Sequence, residues 1–425
     1  MNDSKINSLR QKGKMYQLAR GDIKRIFRDH FEQFVSKYKK IIRPVVIKEV
    51  KKMLDCGKIE NGYLEYKCVN CGERKKVAFR CRSRFCNSCG RMYTEARADS
   101  MASKLVKTGH RHMVFTIPKE LRDYFRKNRK MLEILPKCAA EVLKSWFYEQ
   151  NKGEAYTPGI VAVIHTFGRD LKWNPHVHIL VTKGASGKTK EWKPIKYVPY
   201  NMLRLRWQKI LLDEVEKVVG KRNFRALKNR LYKEKNNGFY VYGKGEVENG
   251  RQAIRYVGRY TGRPVMAESR IIKYDGKQVT FWYERHEDGK RVEETIDAEE
   301  FIKRLIIHIP EKQFKMIRYY GIYTTQNKKG KNLIKMINEK IIELKNKMRN
   351  WRMQIMKSFG EDPLECERCG GKMELYDVYY KKYGSMLELY RIRIEEKYKK
   401  EIEETKEMYY VIKKVTNDRI EPVFV

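Results

Sequence analysis

The sequence predicts a mixed α+β protein of more than one domain, on three observations. Apolar residues recur at helical spacing behind Asp22, two β-rich runs (GIVAVIHTFG and HVHILVTKG) are joined by RDLKWNP as in a hairpin, and four cysteines stand in two CxxC pairs. The 425 residues give length for two or three domains, and 41% hydrophobic and 12% aromatic residues supply real cores.

Taken in order, Ile23, Ile26, Phe27, Phe31, Phe34, Val35 and Tyr38 form one face of a helix with Asp22 as its N-cap. Pro44 interrupts this helix, which resumes through Val50 and ends near Gly57. The stretch from Gly57 to Gly90 holds five cysteines and two short strand-like pieces, and a basic helix is expected over 91–107. Val114, Phe115 and Ile117 read as a buried strand, followed by two helical segments up to Gln150. After the hairpin come a helix from Met202 to Val219, a strand at FYVYGK and a short helix carrying Tyr256 and Tyr260 before Pro264. Residues 269–296 alternate like β-ribbon, 298–308 return to helix, 331–358 read as a long basic amphipathic helix, and a charged helical stretch follows CxxCGG in the tail.

Charge narrows the partner. Lys and Arg number 94 against 53 Asp and Glu, a formal surplus of +41. That points to a polyanion, because neutralised phosphates release condensed counterions. No apolar run is long enough to span a membrane, which leaves nucleic acid as the partner. The N-terminal segment lacks the apolar core of a signal peptide, so a cytoplasmic, nucleoid-associated protein is expected. Nine cysteines in that reducing compartment read as metal ligands rather than disulfides.

Cys68-Val-Asn-Cys71 and Cys86-Asn-Ser-Cys89 are expected to share one structural Zn²⁺, each knuckle turning two thiolates onto the ion. Gly72 and Gly90 follow the second cysteine of each pair, where the turn favours glycine. A closed four-thiolate site serves folding and DNA docking, with Arg82 and Arg84 among the basic residues placed for phosphate contacts. Cys56 and Cys81 read as packed thiols, either able to replace a ligand, and Cys366-Glu-Arg-Cys369 is half of a comparable second site.

His176-Val-His178 lies in a strand-like run, where residues two apart share a face about 6.6 Å apart in rise and both imidazoles can meet one cation. His165, on the neighbouring strand of the hairpin, can supply a third ligand. Eight histidines in the chain make this grouping more than background. Tyr256 and Tyr260 have the i, i+4 spacing that puts two phenols on one side of a helix. With 28 tyrosines present, such a pair is commonly core packing, but Arg251, Arg255, Arg259 and Arg263 make this helix electropositive and suited to phosphate.

These residues in this order resemble a known family. The zinc knuckles ending in SRFCNSCG, then HTFG, NPHVH and YVGRYTGRP, are similar to the rolling-circle insertion-sequence transposases of the HUH superfamily, two-tyrosine type, over residues 20–325. The resemblance implies a ferredoxin-like antiparallel sheet carrying the histidines, with His176 and His178 holding a catalytic Mg²⁺ or Mn²⁺ and Tyr256 and Tyr260 as nucleophiles. It implies three parts: a helical and zinc-binding DNA-docking domain over 1–108, a catalytic domain over 109–325 and a C-terminal helical region with the CxxC knuckle over 326–425. The activity implied is nicking and rejoining of single-stranded or hairpin DNA at transposon ends through a 5′-phosphotyrosine bond. A plasmid relaxase or replication initiator uses the same chemistry, and a non-enzymatic zinc-dependent DNA-binding protein would carry the same knuckles. An HxH zinc hydrolase is weakened by the lack of a general-base carboxylate beside the histidine pair.

Overall fold

The computed structural model describes residues 22–90, 101, 105–106, 108–247, 265–285, 288–324, 352, 356 and 362–416. It is an α+β structure with antiparallel sheets and divides into two compact units, 1–54 with 82–362 and 55–81 with 363–425. The expected helices over 91–107, 331–358 and around Tyr256 lie outside the described residues, apart from single positions.

The first two helices are α1 (Asp22–Tyr38) and α2 (Pro44–Asp55). Pro44 opens α2 rather than merely interrupting α1, because a proline at the first helical position loses no needed N–H and has its φ already set. Asp22 was the expected cap, and here the Ile23 N–H donates instead to the Glu268 carboxylate at 3.2 Å. Strands β1 (Gly62–Cys68) and β2 (Arg74–Ala78) form a hairpin.

In the first unit a six-stranded sheet contains β3 (His110–Thr116), β4 (Thr157–Phe167), β5 (Trp173–Ser186), a short β6 (Lys193–Pro194) beside β5, β7 (Val241–Val247) and β11 (Ile317–Gly321). Its main order is β11-β4-β5-β3-β7, every neighbour antiparallel. Alternation divides the residues between two faces. One face presents Met113, Phe115, Ile160, Ala162, Ile164, Val177, Ile179 and Val181, which enter the main core. Helices α4 (Ile134–Glu149) and α5 (Tyr200–Val219) supply Leu143, Trp146, Phe147, Leu203, Trp207 and Leu211 to that core; α3 (Lys119–Lys127) adds Leu121 and Phe125. The opposite face presents Val161, Val163 and Leu180 to a second cluster with Leu105, Val106, Ile322 and Tyr323.

Helix α6 (Lys221–Glu234) was not foreseen, because only Phe224 and Leu231 of its fourteen residues are buried and a two-residue stripe gives little periodicity. Its C-terminal carbonyls are satisfied from within: the buried Gln208 amide donates to the carbonyls of Leu231 (3.1 Å) and Lys235 (3.0 Å). The ribbon expected over 269–296 is a three-stranded sheet of β8 (Ile271–Tyr274), β9 (Gln278–Glu284) and β10 (Arg291–Asp297), and α7 (Ala298–Ile306) packs Phe301 on Phe281 with ring centroids 5.8 Å apart.

In the second unit the tail is not only helical. After Cys369 it forms β12 (Met373–Tyr380) and a short β13 (Gly384–Ser385) before the long α8 (Met386–Thr416). β12 pairs antiparallel with β1, Gly62 opposite Tyr380 and Cys68 opposite Met373, giving the order β13-β12-β1-β2. Tyr63 and Tyr379 stack across this pairing at 5.1 Å.

Phe115 is fully buried, edge-on to Trp207 at 5.3 Å, while the Trp207 indole N–H donates to the Thr116 carbonyl at 2.7 Å. Phe115→Ala is expected to destabilise the first unit by about 3–5 kcal/mol, read as a lower urea midpoint. A midpoint matching the unsubstituted protein would contradict this account of the core.

Candidate metal centres

In the second unit, the antiparallel pairing of β1 with β12 brings the end of one strand to the start of the other, and the two CxxC turns meet there. Gly72 N–H donates to the Cys68 carbonyl (3.1 Å) and Gly370 N–H to the Cys366 carbonyl (2.8 Å), so both knuckles close with the same turn. Gly72 and Gly370 have φ of 74° and 69°, a conformation that only glycine adopts cheaply. Sγ of Cys68 lies 3.5 Å from that of Cys369, and Sγ of Cys71 lies 3.7 Å from that of Cys366. All four sulfurs fall within 4.8 Å of one another, the donor set of a closed tetrahedral site. The Cys71 and Asn70 N–H groups hold the Cys68 thiol down to about 6. At Cys369 the Gly371 N–H pulls down, but the neighbouring Cys71 and Cys68 sulfurs outweigh it and push the thiol up to about 12.

The expected set joins Cys68 and Cys71 to Cys86 and Cys89; the structure brings Cys68 and Cys71 together with Cys366 and Cys369. The reason is strand pairing: β12 lies beside β1 and delivers the C-terminal knuckle, which spacing along the chain could not reveal. Cys86 and Cys89 belong to the first unit, both buried, with Gly90 N–H closing their turn on the Cys86 carbonyl at 2.7 Å. In the second unit, the Cys81 N–H points at the Cys56 sulfur at 3.4 Å, which sets Cys56 and Cys81 apart from inert packing. Cys138 behaves as the packed thiol, buried against α5 and pushed up to about 12 by that burial. Arg82 is exposed at φ 53° and Arg84 is half-buried.

On the first unit's sheet, register brings the histidines together. His165 of β4 lies directly opposite His176 of β5, and His178 is two residues further along the same face. One ligand nitrogen from each falls within 4.8 Å of the others, and the His176 and His178 Nε2 atoms are 3.0 Å apart. The His176 Nδ1–H donates to the Asn174 carbonyl at 2.7 Å, which leaves Nε2 as the ring nitrogen facing the cluster. Burial, with the nearby imidazoles His165, His176 and His112 adding to it, pushes His178 well below the usual imidazole range and keeps it neutral, the form that binds a cation.

The sequence reading passed over His112. It stands on β3 opposite Leu180, diagonal to His178, nearly buried, and its Nε2 is 2.9 Å from His178 Nδ1 with the rings parallel within 5°. The signal was present: His110-Arg-His112 has the same spacing as His176-Val-His178, on a run already read as strand. Of that pair His110 is turned to structural work, its Nε2 2.7 Å from the Tyr323 hydroxyl. Tyr256, Tyr260, Arg255, Arg259 and Arg263 lie outside the described residues.

Comparison with known proteins follows these two groupings. A family model described as "Transposase zinc-binding domain" matches residues 26–117, and one described as "Putative transposase" matches 159–331. The "Transposase for insertion sequence element IS801" of Pseudomonas savastanoi pv. phaseolicola is 29% identical over 351 residues, 78% of this chain and 83% of that protein. The "Putative transposase y4qJ" of Sinorhizobium fredii is 30% identical over 273 residues, 60% of this chain and 68% of that protein. No solved structure matches. Two transposase models and relatives matched over more than two thirds of their length give one result: the chain belongs to the IS91-type transposases, zinc-binding domain included.

Proposed function

We propose that this transposase nicks and rejoins single-stranded DNA at transposon ends through a 5′-phosphotyrosine intermediate. The observation that carries the reading is the convergence of His165, His176 and His178 on one sheet face, inside the span matched by the transposase model, which also contains Tyr256 and Tyr260. The three imidazoles fit a divalent cation, and a donor set of nitrogens favours Mn²⁺ over Mg²⁺. Held by His165, His176 and His178, such an ion would offset charge on a non-bridging phosphate oxygen. His176 and His178 hold the site rigidly, because each rests on an ordered partner behind it. A phenol oxygen of Tyr256 or Tyr260 attacks phosphorus, the bond to the 3′-oxygen breaks, and the proton lost by the phenol balances the one gained by the 3′-hydroxyl. The phosphotyrosine keeps the phosphodiester energy, so rejoining needs no nucleotide.

Tyr260→Phe is expected to lose most initial cleavage of an oligonucleotide spanning a transposon end. Tyr256→Phe is expected to cleave but fail at complete strand transfer, and the double variant to form no covalent adduct on a denaturing gel. His176→Ala should abolish nicking and leave DNA binding intact. An adduct formed by the double tyrosine variant would remove the tyrosine mechanism.

His112 is assigned as a positioning residue, accepting the His178 Nδ1–H so that Nε2 faces the cation; partners of this kind commonly change metal affinity by about 10–100-fold. His112→Phe should weaken Mn²⁺ binding, followed by the paramagnetic resonance of free Mn²⁺, by about that factor, and His112→Gln, which restores an acceptor, should recover most of it. Equal Mn²⁺ affinity in the Phe variant would reject the role.

For structural zinc, the set Cys68, Cys71, Cys366 and Cys369 is proposed as one site. The matched zinc-binding span also holds Cys56, Cys81, Cys86 and Cys89. Cys366→Ser should lower zinc by about one equivalent per chain in elemental analysis. Full zinc content in that variant would instead favour Cys68 and Cys71 being closed by the Cys86 knuckle.

A further inference from the structure

The geometry points to Tyr240 and Tyr242 as a base-stacking platform that receives the single strand beside the histidine cluster. β7 is the edge strand of the six-stranded sheet, next to β3. Its register places Tyr242 opposite Val114, which in turn lies opposite His178, so all three share one face. Tyr240 stands two residues back on the same face, its carbonyl accepting from the Thr116 N–H at 3.1 Å, and Thr116 lies opposite His176. Two strand spacings of ~4.8 Å therefore separate the tyrosines from the histidines, about 10 Å across the sheet.

The surface along that path is open. Tyr240 and Tyr242 are 52% and 42% exposed, and Val114, Thr116 and His176 between them and the cluster are only half-buried. The two rings are parallel within 8°, with centroids 6.2 Å apart. The parallel rings give successive bases, whose planes repeat at ~3.4 Å, aromatic faces to stack on. Arg204 sets its guanidinium 5.4 Å from the Tyr240 ring centre, a cation at the edge of the platform for the backbone phosphate. Among the described residues neither phenol belongs to a hydrophobic core cluster, whereas every base has a face to cover them. The occupant is single-stranded DNA and not duplex, because paired bases are already stacked.

The assignment rests on the proposed DNA chemistry for its substrate, but its test needs neither metal nor cleavage. Full-length protein is titrated into a fluorescein-labelled oligothymidylate and followed by anisotropy. Tyr240→Ala with Tyr242→Ala should weaken binding by about 10- to 100-fold, and the double Leu variant, which keeps bulk but offers no aromatic face, should do the same. The double Phe variant should stay within about threefold, since stacking does not use the hydroxyl. An abasic oligonucleotide of the same length should bind all variants alike. Unchanged oligothymidylate affinity in the Ala and Leu variants overturns the platform, as does an equal loss on the abasic strand. A failed adduct experiment with an intact tyrosine effect would reject the nicking chemistry and leave the platform standing.

Discussion

The antiparallel register of β4, β5, β3 and β7 is the constraint on which the histidine site depends. Because side chains alternate with period two, the pairing that puts Ile164 and Val177 into the core also sets His165 against His176 on the other side. A slip of one residue would move the apolar set to the open face and the imidazoles into the core, at the cost of most of the first unit's burial. The energy that fixes the histidine cluster is therefore not in the cluster itself. It comes from Phe115, Val177, Ile179 and the helices packed over them, and the polar face inherits its precision from the apolar one. The same register carries outward to the edge strand, so that His178, Val114 and Tyr242 form a row across three strands without any direct contact having to place them.

Much of this was legible before the structure. The hairpin that holds the histidines announced itself through two β-rich runs joined by a polar turn, and the helix behind Asp22 through the spacing of its phenylalanines. What stayed hidden has physical causes. Helix α6 carries too few apolar residues to mark a period. Strand β11, in IRYYGIY, is short and adds to the far edge of the sheet, where its partner β4 is more than a hundred residues earlier. His112 was hidden because a lone HxH says nothing until the strand beside it is known. The thiolate grouping was hidden for the same reason in larger measure: spacing pairs two knuckles close in the chain, whereas β1 has β12 as its neighbour. Local pattern reports on elements; which element lies beside which is a property of long-range pairing that no spacing encodes.

The join between β1 and β12 sets a timetable for the protein's birth. Cys68 and Cys369 are 301 residues apart, and nearly all of the first unit is encoded between them. At a ribosomal pace of ~5–20 residues per second, roughly 15–60 s pass between the emergence of the first knuckle and the arrival of the second. During that interval the β1–β2 hairpin has one free edge and two unshared thiolates, while the sheet that carries the histidines has all of its strands and can fold. The second unit, begun at residue 55, is thus finished only after the whole of the first has been made. A polypeptide whose translation stops between Gly321 and Cys366 keeps every strand of the histidine-bearing sheet but never brings the four sulfurs together, and that open edge distinguishes a broken copy from a whole one.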